Sequence, residues 1–197
     1  RSDDQGERWT SIKDGLVAGI IVAVDVDPTN PDIVYAGSEG IGIMRSLNQG
    51  DTWGPTGLDS GALWSIAINP SDPDIMLAGS WGFARFGADG RGILRSADRG
   101  ATWEFVLESV PAVSLEFDPT DHSVVYAGLF GDGVYRSDDA GLTWRPINNG
   151  LDDDAVWEVA PDASAAGQVY AGTWGGGVFV TVDGGEKGEP LNRGLES

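Results

Sequence analysis

The sequence contains no cysteine, one histidine (His122) and only two lysines in 197 residues. No disulfide can form. Zinc coordination and Cys–His catalysis are excluded with so few ligands. No apolar run reaches the ~20 residues that a membrane-spanning helix needs, so membrane insertion is not expected. Positive charge is scarce: 12 Lys and Arg face 31 Asp and Glu, a formal net charge of −19. A surface of that sign repels nucleic acid and anionic membranes. Glycine clusters such as Gly175-Gly176-Gly177 join apolar segments and open no helix, which argues against a phosphate-binding loop. Neither a cofactor nor a metal is expected.

Glycine, by contrast, is plentiful. Thirty glycines and ten prolines are spread evenly, and 41% of residues are hydrophobic. Many short strands joined by tight turns fit that punctuation. The chain also repeats itself. Ser-x-Asp-x-Gly-x-x-Trp recurs as Ser2-Asp4-Gly6-Trp9, Ser46-Asn48-Gly50-Trp53, Ser96-Asp98-Gly100-Trp103 and Ser137-Asp139-Gly141-Trp144. A worn copy, Thr181-Asp183-Gly185, carries Gly188 in the tryptophan position. Each box follows a short apolar segment, ending in Arg45-Ser46, Arg95-Ser96 or Arg136-Ser137. Earlier in each unit stands an apolar pair followed by Ala-Gly, as in Val34-Tyr35-Ala36-Gly37 and Val125-Tyr126-Ala127-Gly128. Asp27-Pro28, Asn69-Pro70 and Asp118-Pro119 precede these, and the fourth unit departs with Pro161-Asp162.

Each unit reads as four strands, A to D. Strand A alternates, as in Trp64-Ser65-Ile66-Ala67-Ile68. The Asp/Asn-Pro pair turns the chain into strand B, the Ala-Gly segment. Strand C ends in Arg-Ser, and the box forms the hairpin to strand D. In the box, the carboxylate can accept backbone N–H groups, glycine supplies a positive φ, and tryptophan can bury a large area on a neighbouring unit. Asp4, Trp9, Asn48, Trp53, Asp98, Trp103, Asp139, Trp144 and Asp183 are therefore read as structural. One unit of this size buries too little surface to stand alone, so the units must stack.

The repeats resemble the Asp-box (bacterial neuraminidase, BNR) repeat of sialidase-like β-propellers. Sortilin-type receptors, xyloglucanase-like glycoside hydrolases and photosystem II assembly factors carry it too. The resemblance implies an all-β fold, a β-propeller of four-stranded blades. Whole blades are expected at 17–61, 62–110, 111–152 and 153–197, with 1–16 the end of a partial blade. All belong to one propeller domain. The expectation is a piece of a larger propeller, able to associate through open edges. The rival is a small closed ring in which the N-terminal segment joins the last blade.

Binding sites of such propellers favour the face carrying the B–C and D–A loops. The second B–C loop, Ser80 to Gly92, is longer than its counterparts and contains Trp81, Phe83, Arg85, Phe86 and Arg91. An insertion in one repeat marks a functional face. Phe130 and Trp174 occupy positions matching Trp81 in the third and fourth units. These seven residues are the candidate binding set. Trp64 and Trp157, on strand A, are expected to point into blade packing. Sialidase chemistry, which the resemblance implies would use a tyrosine nucleophile and an arginine triad, does not fit. All four tyrosines belong to the repeat, and only Arg85, Arg91 and Arg193 lie outside it. A glycosidase needs two carboxyl groups about the scissile bond, for which Asp132 and Asp153 are weak candidates. The expected role is a non-catalytic binding or scaffold propeller for a protein or polysaccharide ligand. The alternative is part of a secreted glycoside hydrolase, xyloglucanase-like rather than sialidase-like. An extracellular or periplasmic location suits either.

Overall fold

The computed structural model describes residues 1–16, 19–82 and 91–195. Phe83, Arg85 and Phe86 lie outside the described residues. Among the described residues every regular element is a strand. The first unit holds β1 (Ile20–Val26), β2 (Val34–Gly40), β3 (Gly42–Ser46) and β4 (Gly54–Pro55). The second holds β5 (Gly61–Ile68), β6 (Met76–Gly82), β7 (Gly92–Ser96) and β8 (Glu104–Glu108). The third holds β9 (Ala112–Phe117), β10 (Val125–Leu129), β11 (Gly133–Ser137) and β12 (Arg145–Pro146). The fourth holds β13 (Val156–Pro161), β14 (Val169–Thr173), β15 (Val178–Thr181) and β16 (Gly188–Pro190). Within each unit, sequential strands pair antiparallel. A short pairing of the end of β2 (Glu39 and Gly40) with the start of β5 joins the first two sheets.

The boxes explain why β3, β7, β11 and β15 turn where they do. In the third, the Ser137 hydroxyl donates to Asp139 Oδ1 (2.8 Å) and accepts from Gly141 N (2.9 Å), while Asp139 Oδ1 accepts from Thr143 N (2.8 Å). The other four boxes repeat this pattern, including the worn one, where Thr181 stands in for serine. Two successive residues have positive φ: Ala140 at 53° and Gly141 at 85°. Hydrogen bonds from Thr102, first its hydroxyl, hold the Asp98 carboxyl below the usual range. The Pro161-Asp162 departure changes little. Asp162 accepts from Ser164 N (2.7 Å), as Asp118 accepts from Thr120 N (2.8 Å), because the turn needs the carboxylate rather than the proline.

The hydrophobic core lies between units. One cluster joins Tyr35, Ile43 and Leu58 of the first to Leu63, Met76 and Leu94 of the second, with Trp103 packed against it. A second joins Leu77 and Ile93 to Leu115, Phe117 and Val125, with Trp144 alongside. The third joins Tyr126 and Val134 to Val156, Val159 and Val169. Arginines preceding the boxes cross the same seams. Arg95 Nε donates to Ala140 O (3.0 Å) and Arg136 Nη1 to Gly184 O (3.0 Å), each carbonyl belonging to the next unit's box. Arg1 Nη1 makes the matching bond to Gln49 O (3.2 Å). The segment 1–16 thus rests on the first unit, where Trp53 Nε1 also donates to Ile12 O (2.9 Å).

Candidate functional site

Strand A carries the same irregularity in every unit. The pairing register skips one residue, leaving Val22, Trp64, Val113 and Trp157 as bulged residues. A β-bulge bends its strand and re-aims a side chain. The tryptophans at two of these bulges leave the blade packing expected of them. Trp157 is exposed and Trp64 half-buried. The strand-A assignment to blade packing is therefore corrected: alternation predicts direction only where the register is unbroken.

The re-aimed rings meet the expected loop aromatics. Trp64 lies 5.3 Å from Trp81 and 5.6 Å from Trp157, centroid to centroid. Phe130 contacts Trp81 at 5.8 Å, Trp157 at 5.4 Å and Trp174 at 5.9 Å, and Trp157 lies 5.5 Å from Trp174. Most contacts are tilted or edge-on, as ring quadrupoles favour. The five rings form one contiguous patch across the second, third and fourth units. Trp174 is its most accessible member at 72% exposure. Two backbone bonds fix the loops bearing these rings: Phe130 N donates to Pro111 O and Trp174 N to Ala155 O, each at 2.9 Å. Arg91 is exposed beside β7.

Asp153 sits under the Trp174 loop. Its carboxylate accepts from Ala155 N (3.0 Å), Gly175 N (2.9 Å) and Gly176 N (2.7 Å), which hold it below the ordinary carboxylate range. Asp132 accepts from the hydroxyls of Ser109 (2.7 Å) and Tyr135 (2.9 Å). Both carboxylates are thus engaged in loop-holding bonds.

Three other acids were not singled out by sequence: Asp25 on β1, Glu116 on β9 and Glu158 on β13. Loss of hydration, then the like charges of Glu158 and Asp25, pushes the Glu116 carboxyl up to about 7. Loss of hydration also raises Asp25, against hydrogen bonds from Val26 N and Ile68 N. Glu158 accepts from the Ser114 hydroxyl (2.9 Å). Asp25 and Glu116 line a cleft of about 270 Å³ with Val24, Ile66 and Leu115. The available signal was a lone acid within an otherwise apolar innermost strand, as in Val24-Asp25-Val26. Among the described residues, no group of three or more His, Cys, Asp or Glu could hold a metal ion. Among the described residues no helix is long and apolar enough to cross a membrane.

No protein-family model matches the sequence, and no curated protein sequence matches it. Solved structures do. An ancestral GH74 enzyme superposes with a TM-score of 0.73 at 22% identity, covering 93% of this chain and 25% of that one. The GH74 xyloglucanase from Xanthomonas campestris gives 0.69 at 21%, covering 93% and 32%. YCF48 from Cyanidioschyzon merolae gives 0.61 at 14%, covering 87% and 56%. The chain spans only a quarter to a third of the two GH74 proteins. At these identities the likeness establishes the fold. The chain has an all-β fold of antiparallel four-stranded units, similar to that of these propeller-like structures.

Proposed function

We propose that the chain is a binding module of an Asp-box propeller, without catalysis of its own, that holds a neutral polysaccharide on its aromatic patch. The observation that carries this reading is the contiguous set Trp64, Trp81, Phe130, Trp157 and Trp174, open at Trp174. Flat apolar rings present stacking surfaces to the C–H faces of sugar rings. The −19 charge disfavours anionic glycans, and the acids of the inner wall can accept sugar hydroxyls. Arg91, exposed beside β7, is a further candidate contact, and Phe83, Arg85 and Phe86 are proposed contacts on the strength of the sequence alone. Asp132 and Asp153 act as loop clasps. An extracellular or periplasmic setting suits such a ligand.

Titration with neutral polysaccharides, read by tryptophan fluorescence, tests this directly. Binding should quench emission, and Trp174→Ala should weaken it by about tenfold or more while leaving the melting temperature unchanged. Unaltered affinity in that variant would remove the patch from the reading. Saturable binding of a protein partner in place of any glycan would move it to a protein-docking role.

The GH74 likeness favours a second reading, in which the chain is part of a glycoside hydrolase. Reducing ends released in the same titrations would support it, and so would their loss in Asp132→Asn or Asp153→Asn. The bare apolar side chains of Val24 and Val26, and of Leu191 and Leu195 on the opposite side, fit association with further blades.

A further inference from the structure

The arginines that precede the boxes do not all end in the same surroundings. Arg1, Arg95 and Arg136 each donate to a carbonyl of the next unit's box. At the first seam the matching carbonyl, Arg99 O, accepts instead from the Tyr35 hydroxyl (3.2 Å), and that hydroxyl in turn accepts from Arg45. Arg1 and Arg136 also meet an acid of their own box: Arg1 Nε lies 3.2 Å from Asp3, and Arg136 Nη2 lies 2.6 Å from Asp138. The corresponding position beside Arg45 holds Leu47, which is exposed. Among the described residues no ion pair reaches Arg45.

A second replacement opens space beside the same guanidinium. Arg145 stands opposite Arg136 across β11 and β12, and its Nε lies 3.6 Å from Asp138. Gly54 stands opposite Arg45 across β3 and β4, and a Cβ there would meet nothing within 4 Å. What remains is an open cleft of about 290 Å³, lined by Arg45, Leu47, Thr52, Trp53, Gly54 and Pro55. The second unit forms no such site, because Arg95, next to Ala97, is itself buried.

We propose that this cleft binds a small aromatic carboxylate, whose acid group takes the place on Arg45 that Asp138 holds on Arg136. Guanidinium and carboxylate match in a planar, two-point bond. Leu47, Trp53 and Pro55 supply apolar walls for the ring. The net charge of −19 does not close the site, since salt screens charges farther away than about 8 Å at physiological ionic strength. No ring of the aromatic patch takes part, so the site is independent of the polysaccharide reading.

Titration of the whole chain with benzoate near neutral pH, followed by NMR, tests the assignment. Saturable shifts of the Arg45 Nε–H and Trp53 Nε1–H signals are expected. Benzamide has the same shape without the charge and should bind weaker by about tenfold or more. Arg45→Gln should abolish the response. Should loss of the bond to Tyr35 unfold that variant, Leu47→Asp carries the test, since two other boxes already hold aspartate at that position. It supplies the acid internally and should weaken benzoate binding by about tenfold or more. Equal shifts with benzamide and benzoate would overturn the proposal. So would a benzoate response unchanged in Leu47→Asp, or no shift at Arg45 and Trp53 up to about 50 mM benzoate, well above a millimolar dissociation constant.

Discussion

At the level of single residues, the molecule titrates in two opposed ways. The box carboxylates of Asp98 and Asp183 are held below their ordinary value by hydrogen bonds, first from the Thr102 and Thr181 hydroxyls. Their contribution is present above pH ~3.8 and lost as the pH falls through the lower folded value. Glu116 behaves oppositely. Its folded value is raised from 4.5 to about 7, so its neutral form favours the fold. That contribution is complete below pH 4.5 and declines as the pH rises through about 7. Glu116→Gln should therefore match the parent in urea melts near pH 4 and exceed it at pH 8. Identical curves at both pH values would mean that the carboxyl is fully hydrated. The box glycine offers a second prediction. A Cβ at Gly141 would lie 2.6 Å from a Leu77 methyl, on backbone at φ 85°. Gly141→Ala should cost about 1–3 kcal/mol in chemical denaturation. Box chemistry was legible from residue spacing because its bonds are local. The left-handed residue before the glycine was not: it is glutamine at Gln5 and Gln49, but Arg99 and Ala140 elsewhere, with no chemistry common to all four. Nor does spacing reveal a pKa created by acids on separate strands.

At the level of elements, the inter-unit arginines are the clearest test. Arg136 donates to Gly184 O and lies over the Tyr126 ring at 5.7 Å. Arg136→Ala should destabilise the chain by about 1–3 kcal/mol. Amide exchange should quicken first at Gly185 and Lys187, whose N–H groups are held by the box of the fourth unit. Uniform acceleration across all five boxes would show that Arg136 does not act locally. The Arg-Ser repetition was visible in sequence, but its purpose was not, since the acceptor lies more than 40 residues away. Strand A gives the converse lesson. Alternation marks it as a strand, yet one extra residue per strand reverses the expected direction of Trp64 and Trp157. A bulge leaves period-2 patterning intact on either side and so hides from a reading of that pattern.

At the level of the whole molecule, charge and openness dominate. A chain at −19 repels itself, and salt screens that repulsion. The melting temperature should rise between about 20 mM and 500 mM sodium chloride, where the Debye length shrinks severalfold. A fall would imply that ion pairs such as Arg99 with Asp27 (3.1 Å) outweigh the repulsion. Openness shows in the outward residues. Ile66 and Ile68 of the second unit pack into the first seam, whereas their counterparts Val24 and Val26 are 64% and 44% exposed.

Because the apolar clusters straddle the units, the piece that can be transplanted intact is not the blade drawn by the chain's own repeat. A graft that moved residues 111–152 as a block would cut through two clusters and carry half of each. A graft cut mid-blade, from the exit side of one unit to the entrance side of the next, would carry one cluster whole. Recombination and engineering in this chain should therefore succeed at joints offset by half a repeat from those the eye finds in the sequence.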